Sequence, residues 1–274
     1  MVLYLAVCML NTVNQPERKI MIIYFSSTGN SKYVAKRIAE AENDWTRSIP
    51  AIDFGDRIEV KKKNVFGIVC PTYFYGIPIN IEEFFDRVKL VVEPDTYCFF
   101  VTTYGGDSGH PEVFVEDILK KHNIQLSASF SVKMPENYTP IFDMNDRESI
   151  DRVLKEAEPQ IDAVIEHVKN RDKGDFVTSS TPKMSYEEAR KQYDIARRTS
   201  NFTVSDDCVG CMLCAKRCPS KAIQMENGRP KWVKEQCTLC LGCLHRCPEF
   251  AIQYGDKTKD HGQYRNPHDM VWES

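Results

Sequence analysis

Along residues 20–170 the apolar positions fall into short unbroken runs, separated by polar loops and by stretches of helical period. Residues 20–25 (IMIIYF), 64–70 (NVFGIVC) and 96–103 (TYCFFVTT) are of strand length. Unbroken runs of that kind predict strands buried on both faces of a parallel sheet. Between them the period changes: Tyr33, Val34, Arg37, Ile38 and Ala41 recur at helical spacing, and residues 77–88 read as a helix after Pro78. Two more helices are expected over about 110–122 and 146–168, a fifth strand near 124–132, and a weaker second strand near 47–54. Strands alternating with helices imply an α/β fold with a doubly wound, five-stranded parallel sheet. In such sheets ligands gather at the carboxyl ends of the strands, beside a topological switch point.

Three loops meet that condition. The first strand runs into Ser26, Ser27, Thr28, Gly29, Asn30 and Ser31, directly before a helix. Free backbone N–H groups and a dipole of about half a positive charge favour an anion there. The loop has no Walker lysine and no G-x-G-x-x-G, which excludes a nucleoside triphosphatase loop and a dinucleotide fingerprint. A plain helix cap uses the same residue types. The 64–70 strand ends in Pro71, Thr72, Tyr73, Phe74, Tyr75 and Gly76, and the 96–103 strand in Thr103, Tyr104, Gly105 and Gly106. Core packing would account for any one of these rings. It accounts poorly for three such loops at one edge.

The stretch S-x-T-G-N-S between a strand and a helix resembles the FMN-phosphate loop of flavodoxins. The resemblance implies bound FMN and the strand order 2-1-3-4-5. It also implies that Tyr73 to Gly76 and Thr103 to Gly106 flank the isoalloxazine, with Tyr104 as the stacking ring. Gly105 and Gly106 would let backbone approach the flavin closely. The loop wording departs from that of a long-chain flavodoxin.

The C-terminal part carries a different signal, because CVGCMLCAKRCP and CTLCLGCLHRCP are two copies of one spacing with an offset of 29 residues. Cys208, Cys211, Cys214 and Cys218 form the first run, and Cys237, Cys240, Cys243 and Cys247 the second. Both match the bacterial iron-sulfur run, with three cysteines at every third position, a fourth four residues on, and a proline. Structural zinc also uses C-x2-C pairs, but it has no use for a third evenly spaced cysteine. The pattern resembles that of two-cluster ferredoxins, in which the fourth cysteine serves the other cluster. That resemblance implies one 4Fe-4S cluster on Cys208, Cys211, Cys214 and Cys247, and a second on Cys237, Cys240, Cys243 and Cys218.

Eight of the 11 cysteines lie in these runs, and Cys8, Cys70 and Cys98 are scattered, so a disulfide framework is not expected and a reducing cytoplasm fits. Residues 21–170 carry 17 Lys and Arg against 24 Asp and Glu, and residues 201–256 carry 7 against 6, to which two loaded clusters would add about -4. No basic face or aromatic-basic motif is present to meet nucleic acid. The apolar start of the chain is too short to span a bilayer and lacks a basic n-region, so residues 1–19 read as an extension. Residues 171–200 read as a linker followed by a bridging helix, in which Ser185 and Glu188 form a capping box and Tyr186, Ala189, Tyr193 and Ala196 share one face. Each cysteine run leads into Ala-Ile-Gln, and Asn227-Gly228 marks a hairpin. His245 reads as a surface residue and residues 257–274 as a polar tail.

Two one-electron clusters and a flavin able to take one or two electrons imply intramolecular electron transfer between the clusters and FMN, as in flavodoxin/ferredoxin fusions of anaerobes. The partners would be redox proteins or a small electron acceptor. The alternative is an FMN-dependent reductase of a small electrophile such as a quinone, with the clusters as electron inlet. No acid-base pair or substrate pocket stands out in the sequence.

Overall fold

The computed structural model describes residues 20–52, 57–61, 64–179 and 185–269. The expected extension 1–19 with Cys8, Phe54 at the end of the expected second strand, the side chain of Tyr186 and residues 270–274 lie outside the described residues. The elements in chain order are β1 (Ile20–Tyr24), α1 (Asn30–Ala41), β2 (Thr46–Ser48), β3 (Arg57–Val60), β4 (Val65–Pro71), α2 (Ile79–Phe85), β5 (Lys89–Val92), β6 (Tyr97–Tyr104), α3 (Pro111–Lys121), β7 (Ala128–Lys133), α4 (Arg147–Asn170) and β8 (Gly174–Phe176). There follow α5 (Tyr186–Ala196), β9 (Phe202–Val204), α6 (Leu213–Lys216), β10 (Ile223–Glu226), β11 (Arg229–Trp232), α7 (Gly242–His245), β12 (Ile252–Tyr254) and α8 (Thr258–His261).

Strands β2, β1, β4, β6, β7 and β8 form one parallel sheet in that order. Its first five strands have the order 2-1-3-4-5 expected from the sequence. The sixth comes from the expected linker: β8 pairs with β7, and Phe176 stacks on Phe130 with ring centroids 5.2 Å apart. A short parallel pair, β3 with β5, lies outside the main sheet. Its alternating pattern, with Ile58 and Val60 buried and Arg57 and Glu59 exposed, lies outside the strands expected from the sequence.

The unbroken apolar runs follow from cover on both faces. Ile20, Ile22 and Tyr24 of β1 pack with Val34, Ile38 and the α4 residues Ile161 and Val164, whereas Ile23 turns to the opposite core with Phe84, Val115 and Leu119. Gly67 in the middle of β4 has a packing reason, since a Cβ there would lie 2.3 Å from the Phe99 ring. Helix α5 carries the observed capping box between Ser185 and Glu188 and buries Ala189 against the sheet domain and Tyr193 against the cysteine domain. Arg190 on its side pairs with Glu82 of α2 at 2.8 Å.

The cysteine domain is built twice on one plan. In each half a cysteine run folds into a one-turn helix, α6 or α7, and leads through a fully buried alanine, Ala222 or Ala251, into a strand. Strand β12 pairs with β9, while β10 and β11 form the hairpin at Asn227-Gly228, whose φ values are 51° and 78°. Two expectations are corrected here. Residues 257–269 are packed rather than loose: Tyr264 and Asn266 are fully buried, held by hydrogen bonds that a polar composition conceals. His245 is also buried, because its ring fits between Asn137 O, which Nε2 approaches at 2.8 Å, and the Tyr264 N–H, which donates to Nδ1 at 3.1 Å. Among the described residues no helix is long and apolar enough to cross a membrane.

Candidate functional site

The two cysteine runs line two cavities, and each cavity takes its fourth cysteine from the other run. Cys208, Cys211, Cys214 and Cys247 surround one, together with Met212, Leu213 and Ile252. Cys237, Cys240, Cys243 and Cys218 surround the other, together with Phe202, Trp232 and Leu241. The duplicated plan repeats at atomic detail, because Ala222 N–H donates to Cys218 Sγ and Ala251 N–H to Cys247 Sγ, both at 3.3 Å. Leu239 N–H likewise reaches Cys237 Sγ at 3.3 Å. Such N–H···S bonds stabilise thiolate and lower the charge felt at bound iron.

Burial pushes the Cys240 thiol up to about 12 and those of Cys214 and Cys237 up to about 11. Without a metal these thiols keep their protons at neutral pH, and a binding metal takes the thiolate while the proton passes to solvent. Four thiols line each of the two cavities, and thiolates are the donors that hold iron-sulfur clusters.

The carboxyl ends of β4, β6 and β7 enclose a separate pocket of about 490 Å³. Thr72, Tyr73, Phe74 and Tyr75 form one wall, Tyr104, Gly105 and Gly106 a second, and Glu136, Asn137 and Tyr138 a third. Ile141 and Phe142 stand exposed at the rim. Pro71, Gly76 and Thr103, expected at this site from the sequence, do not line the pocket: Thr103 is buried and its hydroxyl meets that of Ser31 at 2.8 Å. The third wall was missed. Its signal was the polar and aromatic stretch 135–142 after β7, which occupies the same strand-end position as the two loops that were found.

One wall is held under strain. Tyr73 and Gly76 exchange two backbone hydrogen bonds of 2.9 Å, so Phe74 and Tyr75 are the central pair of a tight turn, with φ of 51° and 65°. That conformation ordinarily selects Asn or Gly, and bulky residues in it cost roughly 1–3 kcal/mol each. The neighbouring loop compensates, since His110 N–H donates to Tyr75 O at 3.3 Å and Gly109 packs so closely that a Cβ would lie 2.6 Å from Tyr75 Cα. On the second wall, Gly106 N–H donates to Glu136 Oε2 at 2.9 Å.

The polar loop Ser26 to Ser31 lies at the N-terminus of α1, with Thr28, Asn30 and Ser31 buried. Gly29 has φ of 106°, and its N–H donates to Ser26 Oγ at 3.1 Å. Thr28 Oγ1 accepts from Asn137 Nδ2 at 2.8 Å, which ties the loop to the third wall of the pocket.

The pocket and the second cysteine cavity share a wall: Cys240 and Leu241 line both. Tyr193 of α5 reinforces this junction. Its ring stacks on Phe74 at 5.4 Å and meets Tyr73 edge-on at 6.0 Å, and its hydroxyl donates to Thr238 O. Burial raises the hydroxyls of Tyr73 and Tyr193 well above the usual range, so both stay protonated.

The family model described as flavodoxin domain matches residues 21–163, and that described as 4Fe-4S dicluster domain matches residues 207–252. No curated protein matches the chain significantly. Among solved structures, a putative flavoprotein from Bacteroides uniformis is 15% identical, covering 50% of this chain and 98% of its own, with a TM-score of 0.33. The flavodoxin of Streptococcus pneumonia TIGR4 is 14% identical over 53% of this chain and 98% of its own, with a TM-score of 0.34. Rubredoxin oxygen:oxidoreductase from the anaerobe Desulfovibrio gigas is 13% identical over 57% of this chain and 37% of its own, with a TM-score of 0.35.

Proposed function

This chain belongs to the flavodoxin domain family and carries a 4Fe-4S dicluster domain behind it, and from that premise we propose that it transfers electrons within one polypeptide between two 4Fe-4S clusters and a bound FMN. An electron-transfer role with flavin follows from the two domains; the internal route is the further step. The observation that carries it is the shared wall, since Cys240 and Leu241 separate the cavity of one cluster from the pocket of the flavin.

In this reading Cys208, Cys211, Cys214 and Cys247 hold one cluster, and Cys237, Cys240, Cys243 and Cys218 the other. The loop Ser26, Ser27, Thr28, Gly29, Asn30 and Ser31 holds the FMN phosphate, and Thr72 to Tyr75 with Tyr104 to Gly106 flank the ring. When bound, the clusters supply one-electron steps and the flavin one- or two-electron steps, so the chain matches partners of different electron count. Leu239, Leu241 and Tyr193 keep water out of the junction, being buried between the two sites. Glu136 holds Gly106 N–H, which fixes the second wall, and Tyr104 presents its ring to the pocket. The cysteine chemistry suits a reducing cytoplasm.

Anaerobic reconstitution tests the reading. About eight irons and one FMN per chain are expected, and photoreduced clusters should bleach the flavin. Protein that retains zinc and takes up neither iron nor sulfide overturns it. Exposed Ile141 and Phe142 at the pocket rim favour a second reading, in which a small apolar electron acceptor such as a quinone meets the flavin there. Turnover of such acceptors by the reduced protein supports that reading; exchange with carrier proteins alone counts against it.

A further inference from the structure

We infer that the polar loop takes its anion-binding shape from the cysteine domain, with Arg246 and Asp269 as positioning residues, so that cluster loading and FMN binding are thermodynamically coupled. The inference rests on the reading that the loop Ser26 to Ser31 holds the FMN phosphate.

A backbone carbonyl turned toward an anion repels it, so the loop must face its carbonyls away. Two of them are held by distant donors: Arg246 Nε–H donates to Ser27 O at 2.7 Å and Asn266 N–H to Thr28 O at 2.8 Å. In a planar trans peptide the N–H points opposite to the carbonyl. Fixing Ser27 O toward Arg246 therefore fixes Thr28 N–H on the other side, and fixing Thr28 O turns Gly29 N–H to Ser26 Oγ, its partner at 3.1 Å, which closes the loop. The side chain of Asn30 is held from the same direction, its Oδ1 accepting from Tyr264 Oη at 2.6 Å and Asn266 Nδ2 at 3.1 Å.

Arg246 stands directly before Cys247, and its guanidinium is clamped by Asp269, which also pairs with Lys32 of α1 at 2.9 Å. Segment 264–269 lies against Gly29 so closely that a Cβ there would sit 2.5 Å from Asp269 Cβ. The backbone around Arg246 belongs to a cysteine run, and a small domain of this type folds around its metal centres. Loading the clusters thus orders the donors that shape the loop, and linkage requires FMN to favour the loaded clusters by the same factor.

FMN titration followed by flavin fluorescence, on flavin-stripped protein with and without its iron, tests the coupling. Cluster-loaded protein is expected to bind FMN about tenfold or more tightly than iron-stripped protein, within the range usual for coupled sites. FMN should slow iron loss to a chelator correspondingly. Because iron removal can unfold the domain outright, two variants accompany it, Arg246→Ala and Asp269→Asn, each checked for full iron and sulfide content. Both are expected to weaken FMN severalfold with the clusters intact, and Arg246→Lys to recover part of the loss. Equal FMN affinity with and without iron, or unchanged affinity in both iron-replete variants, overturns the coupling. Failure of the wild-type holo-protein to bind FMN at all overturns the site assignment instead.

Discussion

The sheet domain and the cysteine domain reach order by opposite means. In the first, β1, β4 and β6 bury nearly every side chain between two apolar layers. In the second, the strands are three or four residues long, and Leu239, Leu241, Leu244, Ile252 and Tyr254 pack with Cys237 and the partly buried Cys214, Cys218, Cys243 and Cys247. A core of that size cannot offset the entropy of ordering its chain without further cross-links. The difference teaches where each half should fail: the first by loss of packing, the second by loss of metal.

The largest effect that would test this contrast is expected from Cys243→Ser. It removes one donor from the cavity that Cys218, Cys237 and Cys240 also line. Structural metal centres of small domains contribute on the order of 10 kcal/mol to folding. Iron content should fall by half or more, and proteolysis should cut within residues 201–256 while the sheet domain stays resistant. An intact, protease-resistant cysteine domain without iron would break the contrast.

Phe99→Ala probes the other half. Phe99 is completely buried in β6 and fills the space above Gly67. Its removal should cost about 3–5 kcal/mol by transfer and cavity terms. The loss should appear in the denaturant midpoint of the sheet domain, with iron content per folded chain unchanged.

The same contrast explains what could be read in advance. Runs such as IMIIYF and NVFGIVC announce doubly covered strands because burial selects apolar residues directly, and the doubled cysteine spacing announces its cavities because ligand geometry demands it. Segment 257–269 was opaque for the opposite reason. Tyr264, Asn266 and Asp269 are buried through hydrogen bonds and ion pairs with Asn30, Thr28, Lys32 and Arg246, partners more than 200 residues away or inside a cysteine run. Nothing local marks such a segment as interior. His245 is opaque in the sequence likewise, because its partners Asn137 and Tyr264 become neighbours only on folding. Strand β8 hid in a polar stretch since, as an edge strand, it has three exposed residues and no buried face.

Tyr193→Phe addresses the junction between the two halves. The hydroxyl donates to Thr238 O and lies 3.4 Å from Ile79 N, with the ring buried among Phe74, Tyr73 and Leu239. Removing only that oxygen leaves a buried carbonyl without its donor, at a cost of about 1–3 kcal/mol. Both domains should remain folded with full cofactor content, but the melting of one should separate from that of the other. Continued single-step melting of the variant would show that the junction does not depend on this bond.

The smallest expected effect is at the entrance of α5, and it asks whether the helix bridging the two halves is positioned locally or by its packing. Ser185 accepts from Glu188 N–H, and the Glu188 carboxylate accepts in return from Ser185 N–H at 3.1 Å. The hydroxyl and backbone bonds from Ser185 hold the Glu188 carboxyl below its ordinary pKa. Ser185→Ala removes the cap and should cost about 1 kcal/mol. If packing of Ala189 and Tyr193 fixes the helix, that loss is confined to fraying of its first turn, and amide exchange should accelerate at residues 186–189 while the amides of 190–196 keep their protection. Faster exchange along the whole helix would instead make the cap the determinant of how α5 joins the sheet domain to the cysteine domain.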